Sequence, residues 1–394
     1  MKAFFEKVIS GIITCSGFLT SIVIILIILF LFSEGFGLFS QKSIEGGYTL
    51  VVNQSNPIKE LDAGQINKIF DQDIHNWKQV GGEDRQIKVF RFDDMLSFFK
   101  EKQLGKNYEN AGKCISQLVA ANPGIIGFVP KEFIHKDAHV KQLKDPHISF
   151  WETLFGKQWY PTATPAPQFG FLPLILGTIW VTFFAILFSL PFGLSVSIYL
   201  SEVASPRIRS FLKPVIELLN GIPSVVYGFF GLIVIVPLLQ NTFHLPVGES
   251  GLAGSIILAI MALPTIISVS EDAMQNCPRE MREASLALGA TQWQTIYKVV
   301  IPYSISGITS AIVLGIGRAF GETMAVLMVT GNAAIIPTSI TDPLRTIPAT
   351  IAAELGEAPT GGPHYESLFL LGIILFIMTM IVNLSVEYIS SKHK

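Results

Sequence analysis

Residues 282–302 read Arg282-Glu283-Ala284-Ser285-Leu286-Ala287-Leu288-Gly289-Ala290, continuing as TQWQTIYKVVIP to Pro302. Leu286, Gly289, Trp293, Ile296 and Val300 recur at three- and four-residue spacing. That period predicts two short amphipathic helices hinged near Gly289, with Pro302 closing the segment. The residues alone leave two uses open: a helix pair lying on a membrane surface, or a helix that docks into a partner.

The segment sits between long apolar runs. A bilayer core takes about 20 apolar residues in helical form. Six runs qualify: Gly11–Phe32, Phe171–Leu200, Val215–Leu239, Leu252–Ser270, Ile305–Val329 and Leu368–Ile389. The first is too long for a signal-peptide core and has no small-residue cleavage site after it, so it is expected to remain as an anchor. Pro191, Gly221, Pro223, Pro237, Pro264, Gly317 and Gly321 interrupt the later runs. Such breaks are tolerated where protein or a watery cavity satisfies the freed backbone, so a bundle with a working interior is expected.

Charge follows the same division. Residues 41–168 hold 31 of the 58 Lys, Arg, Asp and Glu, so a polar domain is set into a membrane protein. With the N-terminus inside, the inner segments carry Lys2, Lys7, Arg207, Arg209, Lys213, Arg279, Arg282, Lys298, Lys392 and Lys394, while the short outer loops carry only Arg345. The positive-inside rule then places both termini in the cytoplasm and residues 33–170 outside. Cys15, Cys114 and Cys277 fall in the bilayer, outside and inside respectively, so no disulfide is expected among them. A net charge of −2 argues against a nucleic-acid partner.

Glu283-Ala284-Ser285, Gly289, Val299, Ile301 and Pro302 resemble the EAA motif of ABC importer permeases, with Ser285, Val299 and Ile301 as mild departures. The resemblance implies that Glu283, Ala284, Ser285 and Gly289 couple the chain to an ATPase subunit. No G-x-x-x-x-G-K-[ST] loop is present, so hydrolysis is expected in a partner chain rather than here. Glu217–Gly231 (ELLNGIPSVVYGFFG), Met261–Asp272 (MALPTIISVSED), Gly317–Val329 (GRAFGETMAVLMV) and Ala349–Glu357 (ATIAAELGE) further resemble the PstC-type permease subunit of the phosphate-specific importer. That resemblance covers residues 170–390. It implies a homologous second permease subunit, a cytoplasmic ATPase dimer and an extracytoplasmic phosphate-binding protein, in a bacterial inner membrane.

The expected fold is therefore an all-α transmembrane bundle of six spans, of the type I ABC importer permease class, with an inserted α/β extracytoplasmic domain. The expected divisions are 1–33 (anchor), 41–168 (insert) and 170–394 (permease core), with an inner coupling loop at 271–303.

Three residues are candidates for the substrate path. Arg318 and Glu322 are ionisable residues inside a span, where charge is costly and points to function. A guanidinium fork suits an oxyanion. Four residues apart, the two are expected to share a helix face, and a purely structural pair is the alternative. Ser224 follows Gly221-Ile222-Pro223, a break that frees backbone N–H groups toward an anion; an ordinary packing kink is its alternative.

In the insert, Asn56-Pro57, Asn76-Trp77, Ile87 to Arg91 and Asn122–Phe128 (NPGIIGF) resemble part of a periplasmic phosphate-binding protein. A strand over 86–92 and a helix over 94–103 are expected. The Ser-Gly-Thr that in that family follows such a strand is missing, and Asp93 and Asp94 stand there instead. A single lobe that caps or docks, without binding phosphate itself, is expected. Glu132, His135, His139 and His147 have loose metal-like spacing, but no metal or other cofactor is expected. The rival functions are a permease for sulfate or molybdate and, less well supported, a membrane sensor.

Overall fold

The computed structural model describes residues 2–105, 108–134, 140–145 and 147–391. His135, His139, Lys392 and Lys394, named above, lie outside the described residues. The chain forms two units: residues 1–35, 172–358 and 368–394 in one, and 36–171 with 359–367 in the other.

The first unit is helical. Among the described residues, six helices are long and apolar enough to cross a membrane: Ile9–Ser40, Leu172–Val203, Ser224–Phe243, Gly251–Gln275, Gln292–Gly321 and Pro363–Tyr388. We refer to them as the first to sixth spans. The second and fourth spans form the centre of the bundle. Gly193 permits their close approach, since a Cβ there would lie 2.8 Å from Ile266 Cγ2. Val181, Ala185, Ile257, Met261, Val326 and Val329 fill the buried core between them and the broken segments described below. The first span is exposed along its apolar length, with none of its most apolar stretch buried within the chain. Toward its C-terminal end Phe30 meets Phe369 of the sixth span edge to face at 5.5 Å.

Two apolar runs expected to be continuous are not. The run read as 215–239 divides into a helix Pro206–Asn220, a non-helical Gly221-Ile222-Pro223 and a helix restarting at Ser224. Pro223 lacks the N–H that would continue the earlier helix and sets extended geometry (ψ 141°). The run read as 305–329 stops at Gly321. Glu322 is extended (φ −72°, ψ 128°), and a short helix Met324–Val329 follows.

The second unit is an α/β lobe. Strands β1 (Tyr48–Asn53), β2 (Lys88–Arg91), β3 (Ile125–Pro130) and β4 (Val140–Gln142) form a sheet in the order β2-β3-β1-β4. β1 runs antiparallel to β3 and β4, and β2 runs parallel to β3. Alternation along β1 sends Leu50 and Val52 to one buried cluster with Ile66, Ile69 and Trp77, and Val51 to another with Phe90, Ile115 and Val119. Both faces are thus covered, by helices Ala63–Phe70 and Ala111–Ala121. Asp62 caps the first of these, its carboxylate accepting from Gln65 N–H at 2.6 Å. The helix expected over 94–103 is instead a turn (Phe92–Asp94) and two single-turn helices, Met95–Phe98 and Glu101–Leu104. Its charged, aromatic-dense sequence sustains no longer helical stripe. The segment 359–367 belongs to this unit: Gln41 Nε2 donates to Glu366 Oε1 at 3.1 Å and to Gly361 O at 3.4 Å.

Candidate functional site

The two breaks bring the candidate residues into one region. Gly228, on the helix beginning at Ser224, lies against the helix Met324–Val329: a Cβ at Gly228 would meet Met328 Sδ at 2.8 Å and Ala325 Cα at 3.0 Å. The two restarted segments therefore pack on each other, with Ser224 opening one and Glu322 preceding the other. Ser224 is half-buried, and its hydroxyl has no hydrogen-bond partner among the described residues.

Arg318 is half-buried near the end of the fifth span. Its Nη1 donates to Asn220 Oδ1 at 3.0 Å. The same oxygen accepts from Thr265 Oγ1 of the fourth span at 3.4 Å. No carboxylate lies within ion-pair distance of Arg318 among the described residues. The expected shared helix face with Glu322 is absent, because the helix ends at Gly321 before Glu322 is reached. The Glu322 carboxylate turns instead to its own short helix, accepting from Ala325 N–H at 3.4 Å. Arg318 is thus a cation held by an amide dipole, with most of its fork free to donate. Asn220 and Thr265 were not singled out from sequence. Neither is charged, and only the fold brings 220, 265 and 318 together.

Four other cations of the helical unit, Arg209, Lys213, Arg282 and Arg345, are matched by carboxylates. Glu271, fully buried on the fourth span, receives Arg209 Nε and Lys213 Nζ at 2.8 Å each. Gln275 Nε2 also donates to it. Lys213 reaches Asp272 as well, at 2.7 Å. Between the fifth and sixth spans Arg345 pairs with Glu354 at 2.6 Å. Glu271 was expected at the start of a cytoplasmic loop. The helix continues to Gln275, so the carboxylate lies within the bundle.

The segment between the fourth and fifth spans forms the expected helix, Arg279–Ala287, followed by a second beginning at Gln292 that continues into the fifth span. Between them Gly289 takes the left-handed conformation (φ +85°) that glycine adopts without steric cost. Its N–H bonds Leu286 O at 2.9 Å and the Ala290 N–H bonds Ser285 O at 3.2 Å, closing the helix end. Ser285 Oγ and Thr295 Oγ1, 2.9 Å apart, tie the two helices together. Arg282 anchors the first to the bundle by pairing with Glu202 at 2.9 Å and donating to Met274 O at 2.8 Å. Glu283 and Ala284 face outward, as do Met281, Leu286 and Trp293, while Leu288 is 89% exposed. An exposed apolar set on a rigidly held helix is what a docking surface requires.

In the α/β unit, Arg91 at the end of β2 is already engaged. Its Nη2 donates to Phe70 O at 3.3 Å, and its guanidinium lies 5.5 Å from the Phe70 ring centre. Asp93 and Asp94 are exposed in the turn that follows. No group of three or more His, Cys, Asp or Glu among the described residues is placed to hold a metal.

Residues 189–394 match the family described as the binding-protein-dependent transport system inner membrane component, and residues 33–162 match a PBP superfamily domain. A "Probable ABC transporter permease protein" (YqgH) of Bacillus subtilis is 43% identical over 247 residues, 63% of this chain and 80% of that one. The "Phosphate transport system permease protein PstC" of Mesorhizobium japonicum is 39% identical over 254 residues, 60% of this chain and 76% of that one. An ABC-type phosphate transport receptor from Vibrio cholerae shows a local likeness, 29% identical over 26% of this chain and 48% of that one, with a TM-score of 0.20. With six candidate spans and a family match over half its length, the chain belongs to the family of binding-protein-dependent transport system inner membrane components and is a multi-pass ABC importer permease subunit.

Proposed function

We propose that the chain forms half of a transmembrane pathway for inorganic phosphate. The observation that carries this is Arg318: a guanidinium at span depth, bonded to a neutral amide and to no carboxylate. Burying an unpaired charge is costly, and an arriving oxyanion relieves that cost by taking the free N–H donors. Ser224 lies on the other broken segment with an unused hydroxyl, and Glu322 stands where it can repel an anion and speed its release. The naming of similar proteins as phosphate transport permeases supports phosphate over other oxyanions.

In this reading a homologous second permease subunit completes the path and an ATPase dimer docks on Glu283, Ala284, Ser285 and Gly289. A separate extracytoplasmic binding protein delivers phosphate. The termini and the Arg279–Ala287 helix are cytoplasmic, and the α/β unit is outside. The α/β unit caps or docks and does not receive phosphate itself, because Arg91 is occupied and two aspartates follow it.

The test is labelled phosphate uptake by the assembled transporter in vesicles, with and without the separate receptor, against sulfate as competitor. Uptake is expected to need the receptor and to ignore sulfate. Arg318→Lys, which keeps the charge but loses the fork, is expected to lower it roughly tenfold or more. Receptor-free uptake, sulfate transport, or full activity of Arg318→Lys would each overturn the corresponding part of the reading.

A further inference from the structure

A row of aromatic rings runs along one side of the α/β unit. Phe36 lies 6.0 Å from Phe39, Phe39 lies 5.5 Å from Phe150, Phe150 lies 5.3 Å from Trp151, and Trp151 stacks on Phe155 at 5.8 Å with ring planes 11° apart. Four of the five are open to their surroundings: Phe36 is 48% exposed, Phe150 43%, Trp151 66% and Phe155 57%. In water this is a costly surface, about 25 cal/mol for each Å² of apolar area left uncovered.

Chain connectivity fixes where the row sits. Phe36 and Phe39 follow Phe32, the last residue of the first apolar run, by four and seven residues. At helical rise that is roughly 10 Å at most beyond the hydrocarbon edge. The short helix Phe150–Phe155 is tied at its other side to the start of the second span. Phe171 N–H donates to Thr153 O at 2.8 Å, and Gly170 N–H donates to Gln158 O at 2.8 Å. Gly156 and Gly170 touch so closely that a Cβ on Gly170 would lie 2.5 Å from the Gly156 carbonyl carbon. The helix is therefore tied, within its own unit, to the residues that follow the first apolar run and to the residues that lead into the second span.

We propose that Phe150–Phe155 is an interfacial helix whose Phe150, Trp151 and Phe155 rings enter the headgroup region of the outer leaflet, a few residues of chain from where two spans begin and end. Aromatic side chains favour this layer, where one end of the ring system is apolar and the other wet. Lys157, exposed one residue beyond Gly156, is placed to meet lipid phosphates. Glu152 fits the same setting: although the residue is exposed, partial desolvation of its carboxyl raises it above its usual range, and the nearby Asp62 adds to the effect. The anchor fixes the α/β unit against the membrane, and it rests on the six-span fold rather than on the identity of the transported anion.

The test uses Trp151 as its own probe. The full chain is reconstituted in phosphatidylcholine/phosphatidylglycerol vesicles, alone and in the assembled transporter. The lipids carry bromine either near the headgroup or near the chain end. The emission lost in Trp151→Phe isolates this residue from Trp77, Trp159, Trp180 and Trp293. We expect that component to be quenched by the shallow bromine and less by the deep one, in both preparations. Absence of quenching by either lipid, stronger quenching by the deep one, or loss of quenching on assembly would overturn the proposal. The last outcome would assign the row to a partner subunit. Trp151→Tyr repeats the measurement should the phenylalanine variant fold poorly.

Discussion

The helix Pro206–Asn220 treats charge differently at its two ends. At its start Arg209 and Lys213 converge on one buried carboxylate, Glu271, and the cations are satisfied within the chain. At its end Asn220 holds Arg318 by a single neutral oxygen, and that cation has no carboxylate. The same physical problem, a cation near the membrane interior, thus has a closed solution at Arg209 and Lys213 and an open one at Asn220, on a single helix. A closed pair is a structural fastening. An open one is a place for a ligand of opposite charge. The comparison turns the general expectation that intramembrane charge is functional into a claim about one arginine among several.

The largest effect is expected at the closed end. Glu271→Ala strands two cations, and breaking a buried pair from one side costs about 3–5 kcal/mol. The variant should show a large drop in detergent-solubilised melting temperature and in yield. Wild-type stability would mean that the fastening is ornamental and would blur the contrast with Arg318.

A smaller effect is expected where neither charge nor burial is at stake. Gly289 is exposed, and a Cβ there would meet nothing within 4 Å, but its φ is +85°. Gly289→Ala should cost roughly 1 kcal/mol in backbone strain, with Gly289→Asn costing less because asparagine tolerates that region. Gly289→Trp should leave the chain inserted while disrupting ATPase association, since the added bulk projects only outward. Undiminished association and uptake in the tryptophan variant would remove the docking role from this turn.

The smallest perturbation tests orientation. Cys277 is buried, so its failure to react would say nothing about sidedness. Single cysteines at exposed positions serve better. Lys157→Cys should react with an impermeant reagent in intact cells and Leu288→Cys only after permeabilisation, with uptake nearly unchanged in the first. The opposite pattern would invert the topology and place the matched and unmatched ends of the helix on the wrong sides.

Much of this was readable from residues. Six spans, the helix after Pro278 and the turn at Gly289 follow from apolar length, three-to-four spacing and a lone glycine. The breaks were half legible: Gly221, Pro223 and Gly321 marked them, but averaged hydropathy carried the helices through. That error made Arg318 and Glu322 seem to share a face. Asn220 and Thr265 were invisible because an uncharged residue acquires a role only through a neighbour 98 or 45 positions away. Glu271 was misplaced for a related reason, because two cations from another helix let a carboxylate stay buried. In the α/β unit the helix Ala111–Ala121 and the central strand β1 went unread, and nothing in the sequence signalled that 359–367 would join them.

The most direct test of the open-site account is Asn220→Asp. The substitution changes one atom in a group whose oxygen already lies 3.0 Å from Arg318 Nη1, and so supplies the carboxylate that the site lacks. Labelled phosphate uptake by the assembled transporter is expected to fall roughly tenfold or more, the equivalent of about 1.4 kcal/mol, while the melting temperature stays level or rises. Uptake equal to wild type, with Arg318 thus paired, would contradict the claim that this arginine is kept open for the transported anion.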